Sequence, residues 1–472
     1  MYEDDDFNED FLPIEDLLEK YENVKEGSAI GMMDEDDFER VIEYFYQNSN
    51  DAEALLASEI ACTYYPYSIG VLLLKTEILL QTQKYGQAHV TLDHLESFDL
   101  KNLSAVLLRS EIYINQSRYE QAAQFLESRC EDFSNKEKIE ILLELSNIYD
   151  ECEAYDKVYA VLKQILLLNP KNEEALQKIS FWAEFSNQLE DAIQLHEHIT
   201  MEDPYSVLAW FNLGACNQSL KRYDAALEAY KFCLAIDEKF EFAYRNMADA
   251  YMRNKQYNEA LEVLQKHLEI GKPEDVIFEA MGYCHEKQKN YSLARHYYTQ
   301  ASKLNPEDDV IFYKIGETYA REQDWEKAMK SYTSALNLDK ENPNYFLAIG
   351  NCLMELNLAN EALLCFLNAV TIKPSSKTVW IALLRALVIN GQYDEALHQV
   401  EAARENCGDK PEFDFLQAAI LFEVGKSKEA LLFLEEGLMA NVNKLRLFTQ
   451  LNPDYMKRTA VIDIISKYKR KK

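Results

Sequence analysis

An all-α chain, built as a solenoid of stacked helix–turn–helix repeats, is what this sequence predicts. Three observations lead there. The segments Arg222 to Leu227 (RYDAAL), Gln256 to Leu261 (QYNEAL), Asp324 to Met329 (DWEKAM) and Gln392 to Leu397 (QYDEAL) share one pattern and recur at 34 residues or a multiple of it. One column of that ruler is almost entirely alanine. Eight of the 10 prolines fall at its junctions, and with 13 glycines the prolines are too few for a loop-rich or all-β chain of 472 residues. Length alone would suggest about three ordinary domains; the repeat replaces them with one quasi-linear array.

Residues 1–34 form an acidic lead: residues 1–40 hold 16 acidic and 3 basic side chains, a net −13. Within it Phe11, Leu12, Ile14, Leu17, Leu18 and Tyr21 are spaced as one face of an amphipathic helix, with Pro13 at its first turn. Asp4–Asp6, Phe7 and Phe11 are candidates to mask a basic groove elsewhere in the chain; an N-terminal capping helix is the competing role.

Twelve repeats follow over residues 35–444, starting at 35, 69, 103, 139, 173, 207, 241, 275, 309, 343, 377 and 411, with one two-residue insertion near Asn135–Lys138. The twentieth position reads Ala54, Ala88, Ala122, Val158, Ala192, Ala226, Ala260, Ala294, Ala328, Ala362, Ala396 and Ala430. The seventeenth is aromatic in eight repeats: Tyr85, Tyr119, Tyr155, Tyr223, Tyr257, Tyr291, Trp325 and Tyr393. The eighth is mostly small, as in Ser110, Gly214, Gly282, Gly316 and Gly350. Small residues at eight and twenty let two helices approach closely, and the aromatic at seventeen is expected to open the second helix and fill the gap they leave. Proline cannot continue a helix, so it ends one repeat and starts the next. The first repeat departs most, with Asp51 at seventeen and Ser58 at twenty-four. Residues 445–472 read as a capping helix around Ala460, Val461, Ile464 and Ile465, then a basic tail from Lys467 to Lys472; these 28 residues carry 8 basic and 2 acidic side chains. Terminal repeats need such a polar-faced cap.

These columns resemble the tetratricopeptide repeat (TPR): an aromatic at four (Trp210, Phe312, Trp380), Leu213-Gly214 at seven and eight, Tyr251 and Tyr319 at eleven, alanine at twenty, Tyr230, Tyr298 and Tyr332 at twenty-four, and a closing proline. The long, acidic, all-repeat design is similar to bacterial cytoplasmic members of that family. The resemblance implies a right-handed superhelix of about twelve units that binds proteins without catalysis. It also implies that the first helix of each repeat lines a concave groove through positions two, five, nine, twelve and thirteen. Carried over, the groove residues are Phe211, Arg245, Asp249, Arg253, Tyr283, Lys287, Tyr313, Glu317 and Arg321, with Asn212 and Asn246 at position six. Arginine, lysine and tyrosine there suit an extended peptide with acidic groups. The heat-shock-chaperone carboxylate clamp is not expected, because no repeat pairs Lys at five with Asn at nine, and Asn246 is followed by Val276 and Ala280.

Composition excludes other classes. With 81 acidic against 49 basic side chains, the net charge of −32 argues against nucleic acid or an anionic membrane as partner. The hydrophobic fraction of 48% rules out a disordered acidic chain. The start of the sequence has neither the basic nor the apolar region of a secretory signal, and the nine cysteines form no CxxC pair, so a reducing, cytoplasmic setting is expected. No constellation for chemistry emerges: Gly425-Lys426-Ser427 lacks the first glycine of a phosphate loop, and His196-Glu197-His198 places its histidines about 200° apart on a helix, where a solvated or half-buried face is expected. The expected function is a non-catalytic scaffold, with no cofactor and no metal, holding protein or peptide partners. The alternative is an accessory, substrate-presenting subunit for a glycosyltransferase or another enzyme on a separate chain.

Overall fold

In the computed structural model, which describes residues 12–27 and 32–469, the regular structure is helical and is dominated by antiparallel helix pairs. The chain forms two compact units, residues 1–238 and 239–472. Among the described residues no helix is long and apolar enough to cross a membrane.

The N-terminal unit opens with the helix Ile14–Lys25, followed by the pairs Glu35–Gln47/Asp51–Tyr64, Ile69–Gln81/Tyr85–Glu96, Leu103–Asn115/Tyr119–Arg129, Asn135–Glu151/Tyr155–Leu168, Glu173–Phe185/Leu189–Glu202 and Val207–Ser219/Tyr223–Ile236. The opening helix buries Leu17 and Tyr21 completely, and Tyr21 donates to Glu53 at 2.9 Å. Asp4–Asp6, Phe7 and Phe11 lie outside the described residues. The insertion near residue 135 becomes an extra turn: the helix there starts at Asn135, four residues before the expected 139, and runs 17 residues. It starts cleanly because Ser134 and Glu137 form a reciprocal capping box.

The C-terminal unit holds the pairs Glu241–Arg253/Tyr257–Ile270, Asp275–Lys287/Tyr291–Leu304, Asp309–Arg321/Trp325–Leu338, Pro343–Glu355/Ala359–Ile372, Lys377–Ile389/Tyr393–Cys407 and Pro411–Glu423/Ser427–Asn441. Beyond Asn441 come two 3-10 turns, Val442–Leu445 and Pro453–Lys457, around the short helix Arg446–Leu451, and then the helix Thr459–Lys469. That last helix buries Val461 and Ile465 and ties down with Lys467 and Tyr468 on Glu435, at 2.7 and 2.8 Å.

Two local devices repeat in both units. The first is the turn inside each pair. Its fifteenth-position residue lies in the left-handed region every time, from Ser49 (φ 56°) through Lys255 (φ 62°) to Gly425 (φ 84°). Lys255 N–H then bonds Met252 C=O at 3.0 Å and Gln256 N–H bonds Tyr251 C=O at 2.9 Å, a Schellman closure of the first helix.

The second device corrects the expected packing. The gap above each small eighth residue is filled by position twenty-four, not by the aromatic at seventeen. A Cβ on Gly214, Gly282, Gly316 or Gly350 would stand 2.4–2.5 Å from a ring atom of Tyr230, Tyr298, Tyr332 or Phe366 respectively. Where the eighth residue has a side chain, as at Ala248 and Ala418, position twenty-four is smaller: Leu264 and Leu434. The seventeenth-position aromatics do open the second helices, at Tyr85, Tyr119, Tyr155, Tyr223, Tyr257, Tyr291, Trp325 and Tyr393.

Candidate functional site

Position nine of each first helix is a useful ruler for the inner face. In the N-terminal unit it carries Glu43, Glu77, Glu111, Asn147 and Phe181 in five successive repeats. Glu77 and Glu111 line a cleft of about 510 Å³ with Tyr46, Tyr85, Leu108 and Asn115. Burial, and then the charges of Glu111 and Glu43, push the Glu77 carboxyl up; burial and then Glu144 do the same to Glu111. Further along, Phe181 and Phe185 stand 54% and 59% exposed; their rings are 4.6 Å apart, and they meet Trp182 and Tyr155, which stack on each other at 5.3 Å, in edge-on or tilted contacts at 5.0–6.1 Å. These aromatics were missed in the sequence although they sit at positions nine and thirteen, the same groove positions read in the neighbouring repeats.

In the C-terminal unit two clefts adjoin through Asn351. The larger, about 320 Å³, is lined by Tyr313, Glu317, Arg321, Trp325, Leu347 and Asn351 among others. The smaller, about 260 Å³, is lined by Asn351, Met354, Glu355, Phe366, Arg385 and Ile389 among others. Tyr313 packs between the rings of Tyr332 and Tyr345, 5.3 and 5.4 Å away. Burial, reinforced by Glu317, pushes its hydroxyl up to about 12, so it stays a neutral donor. Glu317 accepts from the Tyr332 hydroxyl at 2.8 Å and has Arg321 4.0 Å away.

Of the groove residues carried over from the sequence, Tyr313, Glu317 and Arg321 are brought into one cleft. The others are placed differently. Asn212 faces inward: it is 2% exposed, and its amide donates to the Leu176 carbonyl at 2.5 Å, so it holds two repeats together and offers nothing to a ligand. Phe211 is half-buried, with its ring 6.0 Å from Tyr230. Arg245 is ion-paired with Glu274, and Arg253 with Asp249 at 2.6 Å. Lys287 lies over the Tyr283 ring at 4.8 Å, and Asn246 is half-buried. Arg245 and Arg253 are thus both paired with carboxylates of their own chain.

One stretch of inner face is occupied by the chain itself. On the helix Pro411–Glu423, positions nine, twelve and thirteen are Ala419, Phe422 and Glu423. Phe448 and Tyr455 pack their rings on Phe422 at 5.9 and 5.4 Å, and Tyr455 donates to the Ala419 carbonyl at 3.2 Å and also to Glu423. Asn452 adds a bond to Glu423 at 3.0 Å. Ten of the eleven residues from Glu412 to Phe422, all but Asp414, are buried, Phe413, Leu416 and Ile420 in the core of the preceding repeats and Phe422 under this C-terminal segment.

The remaining sequence motifs resolve simply. His196 is wholly buried rather than solvated, with no partner for either ring nitrogen, and burial pushes it down to about 4, so it is neutral. His198 is exposed and lies 3.4 Å from Glu202. Gly425 is the left-handed turn residue of its repeat. Cys216, Cys284 and Cys352 are buried, and burial pushes each thiol up to about 12, which makes them unreactive packing groups.

Stacked helix pairs repeated along each unit define a helical-repeat protein. Residues 207–240, 243–275 and 280–345 each match a tetratricopeptide-repeat family model. The chain carries tetratricopeptide repeats over these residues. No curated protein matches it. Among solved structures it is similar to YrrB, described as a TPR protein with an unusual peptide-binding site (21% identity over 42% of this chain and 97% of YrrB, TM-score 0.35). It is also similar to the C-terminal part of a TPR repeat-containing protein from Cytophaga hutchinsonii (16% identity, 54% of this chain and 99% of that one, TM-score 0.44). A third is the APC/C hetero-tetramer Cut9–Hcn1 (14% identity, 86% of this chain and 95% of that one, TM-score 0.36).

Proposed function

We propose that this protein is a non-catalytic scaffold whose inner face holds an extended segment of a partner protein, through the paired clefts on the helices Asp309–Arg321, Pro343–Glu355 and Lys377–Ile389. In this reading the repeat array spans residues 35–444 as twelve units, and binding involves no covalent step. The observation that carries it is the occupied inner face of Pro411–Glu423. The residues 448–455 of the same chain rest there on positions nine, twelve and thirteen, while at those positions of the two preceding first helices Asn351, Met354, Glu355, Arg385 and Ile389 line open clefts. A surface that accepts aromatic side chains and polar bonds from its own chain suits a foreign segment of similar make. Tyr313, Leu347 and Trp325 supply apolar area, and Asn344 and Asn351 supply amides for a peptide backbone.

The test uses partners recovered with the full-length chain and identified by mass spectrometry. Leu347→Asp should abolish their binding, and Tyr313→Ala should weaken it at least about tenfold, the scale of an interface anchor. Leu364→Asp, on an exposed side chain outside both clefts, should leave it unchanged. Partners that respond to Leu364→Asp and ignore Leu347→Asp would place the interaction elsewhere.

A further inference from the structure

The smaller cleft contains a cation without an ion-pair partner. Arg385, at position nine of Lys377–Ile389, is half-buried, and its Nε is buried without a hydrogen-bond partner. Among the described residues no carboxylate comes within ion-pair distance of it. Other arginines are paired or stacked: Arg109 is held by Asp93 and Glu96, Arg222 by Glu190, Arg245 by Glu274, and Arg404 by Asp409 and Asp414, while Arg118 lies over the Tyr113 ring and Arg458 over Phe422. At the start of the same helix, Lys377 pairs with the buried Glu412. Acidic groups are not scarce in a chain with 81 of them, so the missing partner is a local property of the cleft. A partly desolvated guanidinium without an acceptor destabilises the fold, and a well-placed anion removes that penalty.

From this geometry we infer that Arg385 is the receptor for a single carboxylate of the bound segment. This inference rests on the groove reading above and specifies its ligand. The charge of the surroundings selects the anion. Glu355 lines the same cleft and Glu317 the adjoining one. Arg321 offsets Glu317 in the adjoining cleft, so Glu355 is the carboxylate that opposes an anion on Arg385, and a monoanion meets less repulsion from it than a phosphate with a charge of about −1.5 to −2. Asn351 belongs to both clefts, so a segment that places its carboxylate on Arg385 passes the Asn351 amide and lays its next apolar side chain against Leu347, Tyr313 and Trp325. The ligand is thus a peptide with an acidic group a few residues from an aromatic or aliphatic one. The carboxylate comes from an Asp or Glu side chain or from a free C-terminus.

The experiment selects binders to the full-length chain from a random peptide library and resynthesises them with free and with amidated C-termini. Selected peptides should carry an acidic group next to an apolar anchor. Amidation abolishes binding where the C-terminus is the source and leaves it unchanged where a side chain is. Arg385→Met should weaken binding at least about 30-fold, the loss on removing one partner of a desolvated charge pair. Its melting temperature should stay the same or rise, because an unpaired charge is replaced by a methylene chain of similar volume. A merely structural arginine would lower it. Glu355→Gln should tighten binding about two- to fivefold by removing a competing charge. Binders that lack an acidic group, or that ignore Arg385→Met while responding to Leu347→Asp, overturn the Arg385 assignment and leave the groove reading standing. A library without binders, or with binders blind to Leu347→Asp, overturns both.

Discussion

Replacing Gly350 by alanine should destabilise this protein, although the same change in the middle of an exposed helix stabilises by about 0.5–1 kcal/mol. The added Cβ would stand 2.5 Å from Phe366 Cε1, 2.8 Å from Cζ and 2.9 Å from Cδ1, closer than carbon atoms approach. Phe366 is 1% exposed, so the ring has nowhere to swing. Overpacking of a boxed site costs about 2–3 kcal/mol, which leaves a net loss of about 1–2 kcal/mol after the helix-propensity gain. Phe366→Leu alone leaves a void and costs a similar amount. In the Phe366→Leu background the alanine methyl enters that void, and the effect of Gly350→Ala should change sign to a gain of about 0.5–1 kcal/mol, as in the natural Ala248/Leu264 pairing. The resulting coupling is about 2 kcal/mol. Urea unfolding followed by circular dichroism, with hydrogen exchange in Pro343–Glu355 and Ala359–Ile372, measures it locally, which matters because a repeat array need not unfold in one step. If Gly350→Ala stabilises the protein with Phe366 in place, the ring does not define the contact and the reasoning fails.

Other outcomes follow from the same structure. Lys255→Gly should raise stability by about 0.5–1 kcal/mol, since Lys255 holds φ 62° in the turn, while Gly391→Val, at φ 73°, should lower it by at least about 1 kcal/mol; thermal unfolding reads both. Tyr21→Ala removes a fully buried ring and its bond to Glu53, and should cost about 3 kcal/mol; hydrogen exchange should quicken in residues 35–64 and stay unchanged beyond residue 239. Asp191 is penalised by burial, but the hydrogen bonds from Lys163 and Tyr159 outweigh this and hold its carboxyl below the ordinary 3.8. Its contribution is present above that value and is lost as pH falls through the lower folded one, so Asp191→Asn should lower the urea midpoint near neutrality and flatten its fall in acid.

The helical repeat could be read from the residues because each signal for it is local. Apolar spacing within one helix, an aromatic at the start of the next and a proline at the junction all act over a few residues, and the helices begin at Tyr223, Tyr257, Tyr291 and Trp325 for that reason. The turn was harder to read. Its left-handed residue is Lys, Gln, Ser, Asn or Glu in ten repeats, where glycine would have announced it. The hydrogen bonds of the Schellman closure hold those side chains in a conformation that their own preference disfavours.

Across repeats, chain order carried less. Which aromatic meets Gly350 depends on how two helices close over the turn, and the answer lies 16 residues away, at Phe366. Whether an inner-face cation is available depends on residues a whole repeat distant. Arg245 and Arg385 are both arginines at groove positions, yet Glu274 neutralises the first and no described residue neutralises the second. Asn212 looked like a ligand-binding amide and became an internal strut once the Leu176 carbonyl stood 2.5 Å from it. Backbone periodicity makes these residues a stack of helices, since it needs only hydrogen bonds within each helix and an apolar stripe along it. Which side chains remain unsatisfied and open to a partner is settled when neighbouring repeats bring charges and carbonyls within reach, so the candidate binding residues belong to the tertiary structure.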